Sequence, residues 1–165
     1  MAGYLGCECL DADRVAKSLW ERPDIKAQAV SRWGEEILDP SGKINTAETA
    51  LRIFSAKSEH DFCNSLLHPA VMSELHGQVH GASVLEIPLL PETGRPEWID
   101  RAIYVTAKFE ARAERCKLRG WDSEELRRRE KFLLPQNERI AVCDYIVYND
   151  GGISDLYRQL EEAKF

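Results

Sequence analysis

No apolar run in this chain approaches the roughly eighteen residues that a membrane helix needs, and 30% of its 165 residues are charged. No membrane partner is expected. The start, Met1-Ala2-Gly3-Tyr4, has neither a basic head nor an apolar stretch closing on small residues. Nothing there reads as an export signal, so a cytoplasmic location is expected. A disulfide framework is missing too: Cys7, Cys9, Cys63, Cys116 and Cys143 are odd in number and scattered, which suits reduced thiols. Cys7-Glu8-Cys9 is followed by no second cysteine pair, and alternate residues of a strand face opposite ways, so small buried strand residues are expected in place of a metal half-site. His76 and His80 stand four apart without the intervening carboxylate of a metalloprotease motif, and an exposed helix face is the expectation. Repeats and low-complexity stretches are absent. A net charge of −6 provides no broad cationic footprint, which argues against nucleic acid as a partner. A length of 165 residues fits one domain, 1–165.

The positive charge that is present is concentrated. Between Lys108 and Arg139 there are ten basic and seven acidic residues, a balance of +3 that leaves −9 for the rest. Such a run is either a solvated helix face or an anion contact, and the charge count alone does not choose.

Periodicity divides the chain into strands and helices. Cys7–Asp11 reads as a short strand running into a helix marked by Val15, Leu19 and Trp20. Pro23-Asp24 opens another helix, with Ile25, Ala29, Val30 and Trp33 on one face. Thr46 to His80 is helical almost throughout, with a joint expected at Leu67-His68-Pro69 because proline restricts the residue before it. Ser83–Leu90 reads as a strand covered on both faces, and Arg101–Thr106 as a third strand. Glu110–Leu118 and Ser123–Leu133 read as charged helices, the second capped by Ser123. Asp144–Tyr148 is a fourth strand and Ser154–Ala163 a closing helix, with Ile153, Leu156, Tyr157 and Leu160 inward. Strands separated by helices predict an α/β fold, a parallel sheet with helices on both sides. Such sheets bind ligands beyond the carboxyl ends of their strands, where Asp11, Asp13, Glu92 and Asn149 fall. Taken singly, each of the four reads first as a strand-end cap or turn former.

Six landmarks in order give the chain a resemblance. They are Leu5-Gly6 through Asp11-Ala12-Asp13, Trp33-Gly34-Glu35-Glu36-Ile37-Leu38, and Leu66-Leu67-His68-Pro69; then Pro88-Leu89-Leu90-Pro91-Glu92, Glu114-Arg115 through Arg129, and Asn149-Asp150-Gly151. Over nearly its whole length the chain resembles the dephospho-CoA kinase family. The resemblance implies a three-layer P-loop kinase-like fold with a helical substrate-side block at about 23–81 and a lid at about 110–139. It implies transfer of a phosphoryl group from ATP, with Mg2+, to the ribose 3′-hydroxyl of dephospho-CoA, the last step of coenzyme A biosynthesis. Both partners are small molecules; oligomeric state is left open. By the same resemblance Asp13 is the base for the hydroxyl and Asp11 stands beside it. His68 and Glu92 fall on the substrate side, where His68 also suits a packing or hinge role. Arg115 and Arg119 belong to the lid over ATP, with Arg139 and Asn149 near the adenine. Guanidinium forks match phosphate oxygens, which gives the cationic segment a purpose.

The family's opening strand and Gly-x-x-x-x-Gly-Lys-Ser/Thr loop are not among these 165 residues. That loop cradles the ATP phosphates and supplies a magnesium ligand, so the residues as they stand are not expected to be a competent kinase. The strand is central in the family's sheet, and its neighbours are expected to keep unpaired backbone groups at about 1–3 kcal/mol each where buried. Two other readings stay open: a non-catalytic homologue that binds the coenzyme A precursor, and another nucleoside or nucleotide kinase of the same fold.

Overall fold

The computed structural model describes residues 1–163. The chain divides into two compact units, Met1–Pro88 and a second beginning at Leu89.

In the first unit a short helix α1 (Ala2–Leu5) closes on Gly6, whose φ of 66° is the left-handed cap that glycine adopts without penalty. Strand β1 (Glu8–Asp11) then leads into α2 (Ala12–Leu19), α3 (Pro23–Trp33), a 3-10 turn (Glu35–Ile37), α4 (Thr46–Ile53) and α5 (Lys57–Gln78). Strand β2 (Ser83–Glu86) pairs parallel with β1, Glu8 opposite Ser83 and Asp11 opposite Glu86. The core of the unit is as expected for α2 and α3, with Val15, Leu19, Trp20, Ile25, Ala29 and Trp33 buried, except that Val30 is only half-buried.

The joint expected at His68-Pro69 is not there, because α5 runs unbroken through Pro69. Proline inside a helix costs about 3 kcal/mol. Against that, Cys63, Leu67, Val71 and Leu75, each four residues after the last, are all buried on one stripe, and α5 packs on α2. Burial of a large aliphatic side chain gives about 1.5–3 kcal/mol, so the stripe outweighs the proline. The break falls instead at Phe54–Ala56, between α4 and α5.

Glu59 fastens α5 to α3. Its carboxylate accepts from Arg32 Nε at 3.0 Å, Arg32 Nη2 at 2.7 Å and Trp33 Nε1 at 2.7 Å. Hydrogen bonds from Arg32 and then Trp33 hold the Glu59 carboxyl down at about 2, from an ordinary value of 4.5. A depressed carboxylate stabilises the fold above its unfolded value and loses that contribution as pH falls toward the folded one. Acid unfolding followed by tryptophan fluorescence is therefore expected to show a stability loss between pH 4.5 and about 2 that Glu59→Gln flattens.

The second unit runs α6 (Leu90–Thr93), β3 (Ile103–Thr106), α7 (Phe109–Lys117), α8 (Ser123–Glu130), α9 (Gln136–Ala141), β4 (Tyr145–Tyr148) and α10 (Ile153–Glu162). Strands β3 and β4 are parallel, Ile103 opposite Tyr145 and Thr106 opposite Tyr148. Asp144 starts β4 by accepting from Ala102 N at 2.7 Å and from Arg95 Nη1 at 2.7 Å. The backbone bond from Ala102, with Arg95 nearby, lowers its carboxyl below the usual range. Gln159 of α10 secures the other end of the strand, accepting from Tyr148 N at 2.8 Å and donating to Tyr148 O at 2.9 Å.

Parallel strands flanked by helices are as expected, in the form of two strand pairs, one in each unit. Local corrections have local causes. Strand β2 stops at Glu86 and is half-buried, because Pro88 lacks a ladder donor and Leu90 already turns into α6. Helix α8 is capped by Asp122 and not by Ser123: the Asp122 carboxylate accepts from Glu124 N at 3.0 Å and Glu125 N at 2.8 Å. On α10 Leu160 is buried and Leu156 half-buried, but Ile153 and Tyr157, expected inward, are exposed. The cysteines are free as expected, yet Cys9 is exposed and Cys7 half-buried; β1 buries only Leu10 fully. His76 is exposed on α5 as expected, whereas His80, also exposed, lies past the helix end at Gln78.

Candidate active site

In the first unit two carboxylates stand where β1 gives way to α2, and the local fold uses only one of them. Asp11 is the N-cap of α2, its Oδ1 accepting from Arg14 N at 3.1 Å. This satisfies one of the amide donors that every helix start leaves unpaired. Asp13, in the first turn, is exposed, and its carboxylate makes no hydrogen bond or ion pair among the described residues. The fold thus spends Asp11 and leaves Asp13 available. His68 is half-buried on α5, one residue past the buried Leu67.

In the second unit a cavity of about 340 Å³ opens at the carboxyl ends of β3 and β4. Three of the residues singled out from the sequence meet there: Arg115, Arg139 and Asn149. Arg115 Nη2 donates to Asn149 O at 2.7 Å, linking α7 to the turn after β4. The Arg139 guanidinium lies 5.4 Å from the centre of the Tyr104 ring, while its Nε is buried without a hydrogen-bond partner. Arg119, on the turn after α7, is exposed and is not part of the cavity wall. Glu92, on α6, is also outside the wall; its Oε1 accepts from Leu134 N at 3.3 Å.

Several of the basic residues between Lys108 and Arg139 are engaged within the unit. Arg128 and Arg129 both reach Glu125 at 2.7 Å, and these bonds hold its carboxyl at about 2. Arg129 also stands 4.1 Å from the Trp121 ring centre and Arg127 4.5 Å from that of Phe109. Lys117 pairs with Glu114. Arg112 pairs with Glu130 at 3.0 Å and donates to Ala107 O, so this ion pair forms part of the cavity wall. Charge counting could not separate these internal pairs from the arginines left to a ligand. Tyr104, Thr106 and Gln136 line the cavity and escaped sequence reasoning; the first two sit on a strand whose end marks the ligand side, which was the available signal.

An anion of moderate size with a planar group fits this wall: guanidiniums for phosphate, an aromatic and an amide for a base. Among the described residues no group of three histidine, cysteine or acidic side chains is placed to hold a metal ion.

Parallel strands, helical flanks and a cationic cavity at the strand ends define an α/β protein with a site suited to an anion. The family model described as CoaE, dephospho-CoA kinase, matches residues 2–155, and the chain belongs to the dephospho-CoA kinase family. It is similar to the dephospho-CoA kinase of Chlorobaculum tepidum, 32% identical with 99% of this chain and 84% of that one covered. The dephospho-CoA kinase of Aquifex aeolicus is 29% identical, with 96% and 84% covered. A solved Thermus thermophilus structure superposes with a TM-score of 0.74 at 27% identity, covering 98% of this chain and 85% of that one. The dephospho-CoA kinase structure from Campylobacter jejuni, at 20% identity and a TM-score of 0.63 with the same coverage, shares the fold. No described helix is long and apolar enough to cross a membrane.

Proposed function

We propose that these residues carry out the acceptor and lid functions of a cytoplasmic kinase that moves the γ-phosphoryl group of ATP to the ribose 3′-hydroxyl of dephospho-CoA. The observation that carries this reading is the cavity joining Arg115, Arg139 and Asn149 at the ends of β3 and β4. Arg139 offers a buried Nε–H with nothing to bond, a donor suited to an acceptor that arrives with the ligand. Among the described residues Arg119 is exposed and its side chain has no partner, which suits it to meet phosphate oxygens on the same lid.

Asp13 is the proposed base. Phosphoryl transfer depends mainly on positioning and charge stabilisation, so the protein's task at the acceptor is to orient the hydroxyl and take its proton. An exposed carboxylate at a strand's carboxyl end, unspent by the fold, suits that task. Asp11, fixed by its bond to Arg14 N, stands beside it, and His68 belongs to the substrate side on α5. Magnesium, bound with ATP, supplies charge neutralisation between the phosphates.

The reading includes a requirement. No Gly-x-x-x-x-Gly-Lys-Ser/Thr sequence occurs in these 165 residues, and without such a cradle they hold the lid and the acceptor site but not the phosphates. A kinase assay with dephospho-CoA separates the possibilities, run on the 165 residues alone and on the same residues behind a strand and phosphate-binding loop. Turnover is expected only in the second. In that active chain Arg139→Ala is expected to raise the KM for ATP about 10- to 100-fold, the range for losing a charged hydrogen bond. Turnover by the 165 residues alone would sink the requirement, an unchanged KM would sink the cavity as the ATP site, and a preference for another nucleoside or nucleotide would sink the substrate.

A further inference from the structure

Glu92 does not line the cavity, yet its side chain bonds the backbone where the segment after α8 ends, Oε1 accepting from Leu134 N. After α8 the chain turns through Phe132 and Leu133, whose amides return to Arg129 O and Glu130 O. Pro135, the N-cap of α9, has no amide hydrogen. Leu134 therefore holds the last backbone donor before α9, and it gives that donor to a side chain 42 positions earlier, on α6. Helices α6 and α9 pack against each other, and α9 carries Arg139. We infer that Glu92 is a positioning residue: it anchors the lid's C-terminal root at Leu134 and thereby sets α9, and with it Arg139, against the Tyr104 side of the cavity.

Two further observations point the same way. Glu92 Oε2 is buried without a hydrogen-bond partner, as is Arg139 Nε, so the two packed elements each retain an unmet polar atom of complementary kind. Buried polar atoms are rarely left unmet, and a residue kept for volume alone would be apolar. The contact of 3.3 Å is also at the long end for an N–H···O bond, which leaves the anchor room to tighten. A carboxylate suits this use because a charged acceptor holds a backbone amide more strongly than a neutral one.

The importance of Arg139 rests on the cavity reading above, but the anchor itself is tested without nucleotide. Amide exchange by NMR on the full chain is compared for wild type, Glu92→Met and Glu92→Gln, with the Tyr148 amide, held by Gln159, as an internal control. Methionine keeps the volume and removes the acceptor; glutamine keeps an acceptor oxygen. The expected result is exchange at Leu134 N–H about five- to tenfold faster in Glu92→Met, the effect of one net hydrogen bond, with Arg139 Nε–H, which makes no bond of its own, exchanging faster only through a loosened α9. Glu92→Gln should stay within about twofold of wild type, and Tyr148 should not change in either variant. The proposal is overturned if Glu92→Met protects Leu134 as wild type does, if Glu92→Gln is as fast as Glu92→Met, or if Tyr148 accelerates equally. Failure of the ATP site is a separate outcome, decided by the Arg139→Ala kinetics.

Discussion

Asp13→Asn is expected to lower kcat by about 10²- to 10⁴-fold, the usual contribution of a positioned general base, in a chain that also carries the phosphate-binding loop. The KM for dephospho-CoA should stay within a few-fold. The size of the effect is interpretable because the fold does not lean on this carboxylate. Asp13 is exposed and makes no bond within the described structure, and its one structural contribution is a negative charge in the first turn of α2. Such a charge is worth about 0.3–1 kcal/mol. Asp11 provides the control. It caps α2 through Arg14 N, and asparagine caps as well as aspartate, so Asp11→Asn should leave stability unchanged and reveal whether its charge serves the reaction. Steady-state kinetics with both substrates varied would settle the roles. A fall in kcat/KM carried wholly by KM in Asp13→Asn would make Asp13 a binding group, and a fall matched by lost thermal stability would make it a structural one.

The sequence made the carboxyl ends of β1, β3 and β4 readable, that of β2 not, and the wiring between them much less so. Asn149 and Asp13 sit where they were expected because each strand's carboxyl end has a local mark, the close of the run Tyr145–Tyr148 in one case and Asp11, which caps α2, in the other. The helices α2 and α3 were legible for the same reason: their buried residues recur at helical spacing within a single segment. Pro69 misled because proline is a local signal, whereas α5 continues by virtue of a stripe from Cys63 to Leu75 that packs on a helix some fifty residues earlier. The cationic segment was ambiguous for a related reason. Whether Arg112 faces a ligand or Glu130 depends on how α7 lies on α8, and nothing in the spacing of eighteen residues states that. Glu92 shows the limit most clearly, since its partner is a backbone amide 42 positions away and carries no side-chain signature at all.

Leu75→Ala is the substitution expected to cost the most stability. Leu75 is 0% exposed, among the largest fully buried side chains of the described residues, and it closes the stripe that carries α5 through Pro69. Truncating a buried leucine costs about 2–5 kcal/mol, from lost transfer energy and the cavity left behind. Domains hold about 5–15 kcal/mol in total, so this one change removes a large share. Helix α5 packs on α2, whose first turn bears Asp13, so the loss should reach the candidate base as well as the core. Urea unfolding followed by tryptophan fluorescence would report it, because Trp20 and Trp33 are buried in the same unit, with ring centres 6.3 Å apart. Leu75→Met keeps the volume and should cost less than about 1.5 kcal/mol. Leu118→Ala, at a residue 91% exposed after α7, should cost about 0.5 kcal/mol or less. If Leu75→Ala unfolds no more easily than Leu118→Ala, the buried stripe is not what keeps α5 continuous past its proline, and the account of why the helix fails to break at His68 has to be abandoned.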